Sequence, residues 1–185
     1  MSVSIEEVDS VWKQADCLWS NQQVDRAIES QAQAIEGRLA DKNPLVLVVM
    51  KGGLMFGASL LLKLRFPLEV DYIHVTRYGM GLSGSELQWK VTPQESLEGR
   101  HVLIVDDILD EGLTLEAIMQ ASLSQGAASV ASAVLVEKMH DRKPHPEFRA
   151  DFTCLEVPDR YVFGYGMDYK GYLRNADGIY AVKGL

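Results

Sequence analysis

Residues 102–115 read VLIVDDILDEGLTL. Four apolar residues run into two adjacent carboxylates, Asp106 and Asp107, and a short polar loop then passes through Gly112 into a second apolar segment. We expect a buried strand over 101–105, a loop, and a helix over 115–125 closed by Gly126. Free backbone N–H groups at the start of such a helix bind anions. The stretch therefore predicts a strand, a phosphate-binding loop and a helix in succession.

The rest of the chain repeats this alternation of strand and helix. The segment 45–50 is apolar throughout, as expected for a strand buried on both faces. We predict further strands over 68–75, 129–136 and 152–157, and a buried helix over 54–64, whereas residues 1–40 form an N-terminal helical segment. Alternation of this kind favours a parallel sheet whose ligands bind beyond the carboxyl ends of its strands.

Composition limits the class of protein. The 185 residues fit one domain, 1–185, and 47% of them are hydrophobic. The net charge of −8 disfavours nucleic acid as a partner but permits local binding of a small phosphate. No apolar run is long enough to span a bilayer, and the acidic N-terminus lacks signal-peptide features. Cys17 and Cys154 are not in a paired spacing, so we expect reduced thiols, a cytoplasmic location and no membrane partner.

Three carboxylates, Asp106, Asp107 and Asp110, fall within five positions. A capped helix start with solvated acids would account for Thr114. It would not account for the three acids together, because they repel one another unless a ligand uses them. Carboxylates placed before a phosphate site suit ribose hydroxyls or a hydrated Mg²⁺.

This stretch resembles the signature of type I phosphoribosyltransferases that binds phosphoribosyl pyrophosphate (PRPP), above all in the hypoxanthine-guanine branch. The resemblance implies an α/β fold, with a mainly parallel five-stranded sheet flanked by helices. A small hood over the base would draw on the N-terminal segment and on residues 150–185. It also implies a purine salvage enzyme that transfers ribose-5-phosphate from PRPP to hypoxanthine or guanine, giving IMP or GMP and pyrophosphate.

The resemblance assigns roles within the signature. Asp106 and Asp107 match the acids that hold the ribose hydroxyls, and Asp110 matches the general base near purine N7. The residues that would cradle the 5′-phosphate are Asp110, Glu111, Gly112, Leu113 and Thr114. Glu111 departs from the family, which has Thr or Ser there, and a carboxylate in this place should repel the phosphate.

Other loops match the family as well. Lys51 and Gly52 match its pyrophosphate loop, which commonly carries a cis peptide between them, although alone they read as a tight turn. Arg174 matches a pyrophosphate-binding arginine. Residues 76–92 match the mobile lid, with Tyr78 retained and Arg77 in place of the usual Ser.

The base site follows in the same way. Lys138 matches a lysine that hydrogen-bonds the purine 6-oxo group, Tyr161 an aromatic residue that stacks on the base, and Val162 a residue whose main chain meets the base edge. Asp168 matches an acid of the base site that lies near Mg²⁺, so the metal candidates are Asp106, Asp107 and Asp168. In isolation, a solvated lysine and ordinary strand packing would explain Lys138 and Tyr161.

Other functions remain open at this point. A regulator with the same fold could sense a nucleotide and bind RNA, and a phosphoribosyltransferase could prefer xanthine. The spacing of Gly79, Gly81 and Gly84 fits a dinucleotide fingerprint, but no helix start follows it. His140 and His145 lack further ligands of suitable spacing, which argues against zinc. The family resemblance also implies a homodimer or homotetramer.

Overall fold

The computed structural model describes residues 3–77, 87–143 and 147–184, and the side chains of Arg77 and Leu87 are outside this description. Its helices and strands are, in chain order, α1 (Ile5–Gln14), β1 (Asp16–Trp19), α2 (Asn21–Leu39), β2 (Leu45–Met50), α3 (Gly53–Leu61), β3 (Glu69–Arg77), β4 (Leu87–Val91), β5 (His101–Leu109), α4 (Leu113–Ser124), β6 (Ser129–Met139), β7 (Phe152–Pro158), β8 (Val162–Phe163) and β9 (Ile179–Ala181). No described helix is long and apolar enough to cross a membrane.

The main sheet contains six strands in the order β4-β3-β2-β5-β6-β7. Strands β3, β2, β5, β6 and β7 are parallel, and β4 pairs antiparallel with β3 at the edge. The chain proceeds from β2 to β3 on one side and later from β5 to β6 on the other, so the strand order reverses between β2 and β5. In open parallel sheets, a ligand crevice lies at such a reversal, beyond the carboxyl ends of the strands.

Strand β2 lies between two hydrophobic cores because its side chains alternate between the sheet faces. Val46 and Val48 pack in one core with residues of α2 and α3, while Leu45, Leu47 and Val49 pack in the other with residues of α4. The uninterrupted apolar run of this strand is thus explained by burial on both faces, which fixes its central position in the sheet.

A second, three-stranded antiparallel sheet has the order β1-β9-β8 and joins the two ends of the chain. Helix α1 packs Val8 against Phe163 and Tyr169 of the C-terminal segment. The Glu7 carboxylate also accepts hydrogen bonds of 2.8 Å from the Tyr169 hydroxyl and the Lys170 ammonium group. This sheet and α1 form the small hood that the sequence predicts.

The predicted fold class is confirmed, with differences in detail. Five parallel strands are present, but β4 adds a sixth strand within the predicted lid, where residues 78–86 lie outside the described ranges. Strand β1 interrupts the N-terminal segment that was predicted to be helical, because residues 16–19 pair with β9 from the far end of the chain. Strand β5 continues beyond the two acids to Leu109, because its pairing with β6 extends that far.

Candidate active site

A cavity of about 620 Å³ lies beyond the carboxyl ends of β2, β3 and β5. The loop after β2, the acidic end of β5 and the start of α4 all reach it. Its described lining residues are Val49, Met50, Lys51, Gly52, His74, Val75, Thr76, Lys90, Asp106, Asp107, Ile108, Leu109, Asp110, Glu111, Gly112, Leu113, Thr114, Leu115, Asp168 and Arg174. The residues predicted for PRPP binding therefore meet in one place.

The loop after β2 packs tightly on the acids of β5. A Cβ atom on Gly52 would lie 2.1 Å from Asp107 Oδ2, so only glycine fits there. The cis peptide bond joins Met50 to Lys51, one residue earlier than predicted. The Lys51 carbonyl already accepts a hydrogen bond of 3.4 Å from Leu54 N, and Gly52 has helical torsion angles, so the peptide after Lys51 belongs to the first turn of α3.

Asp106 and Asp107 are surrounded largely by protein. Burial raises the pKa of Asp106 well above its usual value, and the neighbouring charge of Asp107 raises it further. Burial raises the pKa of Asp107 as well, against the lowering effects of a hydrogen bond with Asp106 and the charge of Arg174. Burial is the largest cause of both shifts, so an added cation beside this pair would favour the ionised forms of the two carboxylates.

The described lining of the cavity contains more acidic than basic side chains. It includes five acidic residues (Asp106, Asp107, Asp110, Glu111 and Asp168), two lysines (Lys51 and Lys90) and one arginine (Arg174). No cluster of three or more metal-ligating side chains is present in the described parts of the chain. This donor set fits Mg²⁺, which is commonly held by one or two carboxylates together with substrate phosphates and water.

The segment 110–114, which is predicted to cradle the 5′-phosphate, lies at the start of α4, and its role stays a prediction. Gly112 is the residue before the helix and has a φ of 87°, a conformation that glycine adopts without strain. A Cβ atom at this position would also lie 2.8 Å from Phe148 Cδ1. The first N–H groups of α4 face no preceding helical turn, so they are available to an anion. Glu111 is exposed at the mouth of this cradle.

A second cavity of about 320 Å³ adjoins the first. It is lined by Asp107, Ile108, Asp110, Lys138, Tyr161, Val162, Met167 and Asp168, which include all four residues predicted for base binding. The Tyr161 ring packs edge to face on Tyr169, with centroids 5.5 Å apart. The two cavities share Asp107, Ile108, Asp110 and Asp168 in their linings.

Asp110 stands between the two cavities and has partners on both carboxylate oxygens. Lys138 Nζ donates to Oδ2 over 2.8 Å, and His140 Nε2 lies 2.7 Å from Oδ1. Burial acts to raise the pKa of Asp110, but the hydrogen bonds from Lys138 and His140 outweigh it, and the net pKa lies below the usual value. Asp110 is thus ionised at neutral pH, as a general base must be.

Asp168 and Arg174 are bound to each other. Arg174 donates to Asp168 Oδ1 over 2.5 Å and to the Gly166 carbonyl over 2.6 Å, and the Gly171 N–H group donates to Asp168 Oδ2. The ion pair fixes the position of the Arg174 guanidinium group at the edge of the larger cavity. Asp168 lines both cavities, and its role towards a metal stays a prediction.

The structure adds residues that sequence reasoning missed. His74, Thr76 and Lys90 line the larger cavity, and the buried Thr76 hydroxyl has no hydrogen-bond partner within the described part of the protein. The sequence offers His140 only as a weak zinc candidate, and the structure instead places it beside Asp110. Of the predicted lid residues, Tyr78 lies outside the described ranges and Arg77 is described only in its backbone.

Comparison with known proteins identifies the family to which the chain belongs. The model of the phosphoribosyl transferase domain matches residues 15–170. The hypoxanthine-guanine phosphoribosyltransferase of Streptococcus pneumoniae (strain R6) is 34% identical over 167 residues, covering 90% of this chain and 92% of its own. A hypoxanthine phosphoribosyltransferase structure from Staphylococcus aureus has a TM-score of 0.85 at 27% identity and covers 97% of both chains. A variant of the Trypanosoma cruzi enzyme complexed with its product IMP has a TM-score of 0.83 at 28% identity, with 92% of both chains covered. This chain belongs to the phosphoribosyltransferase family, in its hypoxanthine-guanine branch.

Proposed function

We propose that this protein transfers the ribose-5-phosphate unit of PRPP to hypoxanthine or guanine and releases pyrophosphate. The observation that carries the proposal is the ion pair between Lys138 and Asp110. Lys138 would donate a hydrogen bond to a 6-oxo group and Asp110 would accept a proton, and both line the smaller cavity, next to the proposed phosphate cradle. The names of the similar enzymes support the same pair of substrates. In line with the resemblance, we also propose a cytoplasmic homodimer or homotetramer.

The larger cavity would take PRPP. The first N–H groups of α4 would bind the 5′-phosphate, and Asp106 and Asp107 would accept hydrogen bonds from the ribose hydroxyls. Lys51 and Arg174 would face the pyrophosphate. Mg²⁺, bound through these carboxylates and the substrate, would neutralise charge on the leaving pyrophosphate. A polyanion added to a cavity rich in carboxylates needs such a cation.

The smaller cavity would take the base, with Tyr161 against its face and the main chain of Val162 at its edge. Lys138 can only donate hydrogen bonds, so it favours the 6-oxo group of hypoxanthine and guanine over the 6-amino group of adenine. Lys138 Nζ donates a hydrogen bond to Asp110 Oδ2. Binding of a 6-oxo purine would therefore move Lys138 from Asp110 Oδ2 to the base oxygen and free Oδ2 for the proton on N7.

The chemical step uses no protein nucleophile. The N9 lone pair forms the bond to the anomeric carbon while the bond to pyrophosphate breaks, and the leaving group keeps that electron pair. The positive charge left on the purine is removed when the N7 proton passes to Asp110. Because the two cavities share Asp107, Ile108, Asp110 and Asp168, the base and the sugar are held in the same geometry throughout.

The proposed function is tested by nucleotide formation. The protein is incubated with PRPP and Mg²⁺, with hypoxanthine, guanine, xanthine, adenine or uracil offered separately, and products are separated by chromatography. We expect IMP and GMP, and little product from adenine or uracil. If XMP exceeds both, the xanthine-preferring alternative replaces this proposal. Binding of PRPP without any product would instead favour a nucleotide-sensing regulator.

The variant Asp110→Asn tests whether Asp110 is the general base. We expect kcat to fall by about 10²–10⁴, the usual contribution of general base catalysis, while the Kd for PRPP changes far less. Stopped assays give kcat, and calorimetry gives the Kd. Asp141→Asn, an exposed acid in the loop after β6, is the matched control and should leave both unchanged. An unaltered kcat in Asp110→Asn would remove Asp110 as the base.

Lys138→Gln tests discrimination between bases. An amide can accept a hydrogen bond as well as donate one, so it can pair with the 6-amino group of adenine. We expect the ratio of kcat/KM for hypoxanthine to that for adenine to fall at least tenfold, about 1.4 kcal/mol. Lys42→Gln, an exposed lysine away from both cavities, is the control. If the ratio is preserved, Lys138 does not recognise the 6-position.

Glu111→Thr restores the residue that the family has at the cradle. Removing a carboxylate beside the phosphate should tighten PRPP binding about two- to fivefold, because a single charge at a helix N-terminus contributes about 0.3–1 kcal/mol. Calorimetry at low ionic strength measures the change, and added salt should reduce it. Equal or weaker affinity would show that Glu111 does not repel the phosphate.

A further inference from the structure

We propose that His140 is a positioning residue for Asp110, which holds one carboxylate oxygen so that the other is presented to the purine. This inference rests on the proposed function of Asp110 as the general base. His140 follows β6 directly, and its side chain is 3% exposed, whereas the side chain of Asp110 is 42% exposed. A nearly buried ring thus contacts a carboxylate that remains open to the cavities.

Both ring nitrogens of His140 are engaged. The Arg142 N–H group donates to Nδ1 over 3.0 Å, so Nδ1 is the acceptor in this bond and carries no hydrogen. The ring hydrogen of the imidazole is therefore on Nε2. Nε2 therefore donates to Asp110 Oδ1 at 2.7 Å without needing a positive charge on the ring. The two contacts fix both the tautomer and the plane of the ring.

The loop that carries His140 is anchored on both sides. Lys143 forms a buried ion pair with Glu137 of β6, and Arg149 Nε lies 3.2 Å from the same carboxylate. Arg142 donates two hydrogen bonds to Asp159, which follows β7. These contacts hold residues 140–143 against the sheet, so His140 cannot easily leave Asp110.

Arg142 Nη2 lies 3.6 Å from Asp110 Oδ1, beyond hydrogen-bond distance, so the hydrogen-bond donors to Asp110 are Lys138 and His140. These two donors would act differently when a base binds. Lys138 is a flexible cation that would move from Oδ2 to the 6-oxo group, as the proposed function requires. His140 is held in place and would stay on Oδ1. With Oδ1 retained, the carboxylate keeps its orientation at the moment when Oδ2 must meet the N7 proton, and this orientation is what general base catalysis needs.

Two variants distinguish the effect of the His140 hydrogen-bond donor from the effect of the ring's volume. His140→Phe keeps a ring without a donor, and we expect kcat to fall about ten- to hundredfold, the effect of losing one hydrogen bond to a charged group, with the KM for PRPP little changed. His140→Gln keeps a neutral N–H donor at a similar reach and should recover most of the loss. His101→Phe is the control, because His101 is also hydrogen-bonded, to Ser129, but lies at the opposite end of β5.

A double-mutant cycle distinguishes positioning from a general structural effect. In an Asp110→Ala background, His140 has no carboxylate to hold, so adding His140→Phe should reduce kcat little further. Equal losses in the two backgrounds, or a failure of His140→Gln to recover activity, would overturn the inference. Wild-type protein that makes no nucleotide would instead remove the proposed function, so the two failures are distinguishable.

Discussion

The close contact of three backbone segments at Gly52, Asp107 and Gly166 determines the geometry of the whole site. A Cβ atom on Gly52 would collide with the Asp107 carboxylate, and one on Gly166 would lie 2.0 Å from the Gly52 carbonyl oxygen. The loop after β2, the end of β5 and the C-terminal segment are thereby packed with no room for a side chain. These segments carry Lys51, the Asp106–Asp107 pair and Asp168, so their contact sets the distances between groups that the proposed function assigns to pyrophosphate, ribose and base.

The electrostatics of the site follow from this packing. Close contact excludes water from the acids of β5, and burial then raises the pKa of Asp106 and Asp107. Asp110, only three residues further, shifts the other way because Lys138 and His140 donate to it. Carboxylates a few residues apart thus lie in different environments: a buried pair near the end of β5, proposed to bind the ribose hydroxyls, and a single acid just after the strand, proposed as the proton acceptor.

The sequence predicts those features whose signals are local. The two-sided burial of β2, the acids of β5 and the glycine before α4 can each be recognised within a few residues. Features that depend on contacts between distant segments could not be predicted: β1 pairs with β9 from the opposite end of the chain, and β4 lies at a sheet edge within a polar stretch. His140 belongs to the second group, because it lies just after β6 while its partner Asp110, 30 residues earlier, lies just after β5, and only the parallel pairing of these strands brings the two together.

The contact between Lys138 and Asp110 also bears on how the enzyme avoids a wasteful reaction. An ionised carboxylate next to an activated sugar could take a proton from water as readily as from a purine, and PRPP would then be hydrolysed. Both oxygens of Asp110 accept hydrogen bonds, Oδ2 from Lys138 and Oδ1 from His140. Under the proposed function, only a group that attracts Lys138 would free Oδ2, so the 6-oxo purine itself would make the general base available. Selection of the substrate and activation of the catalyst would then be consequences of the same hydrogen bond.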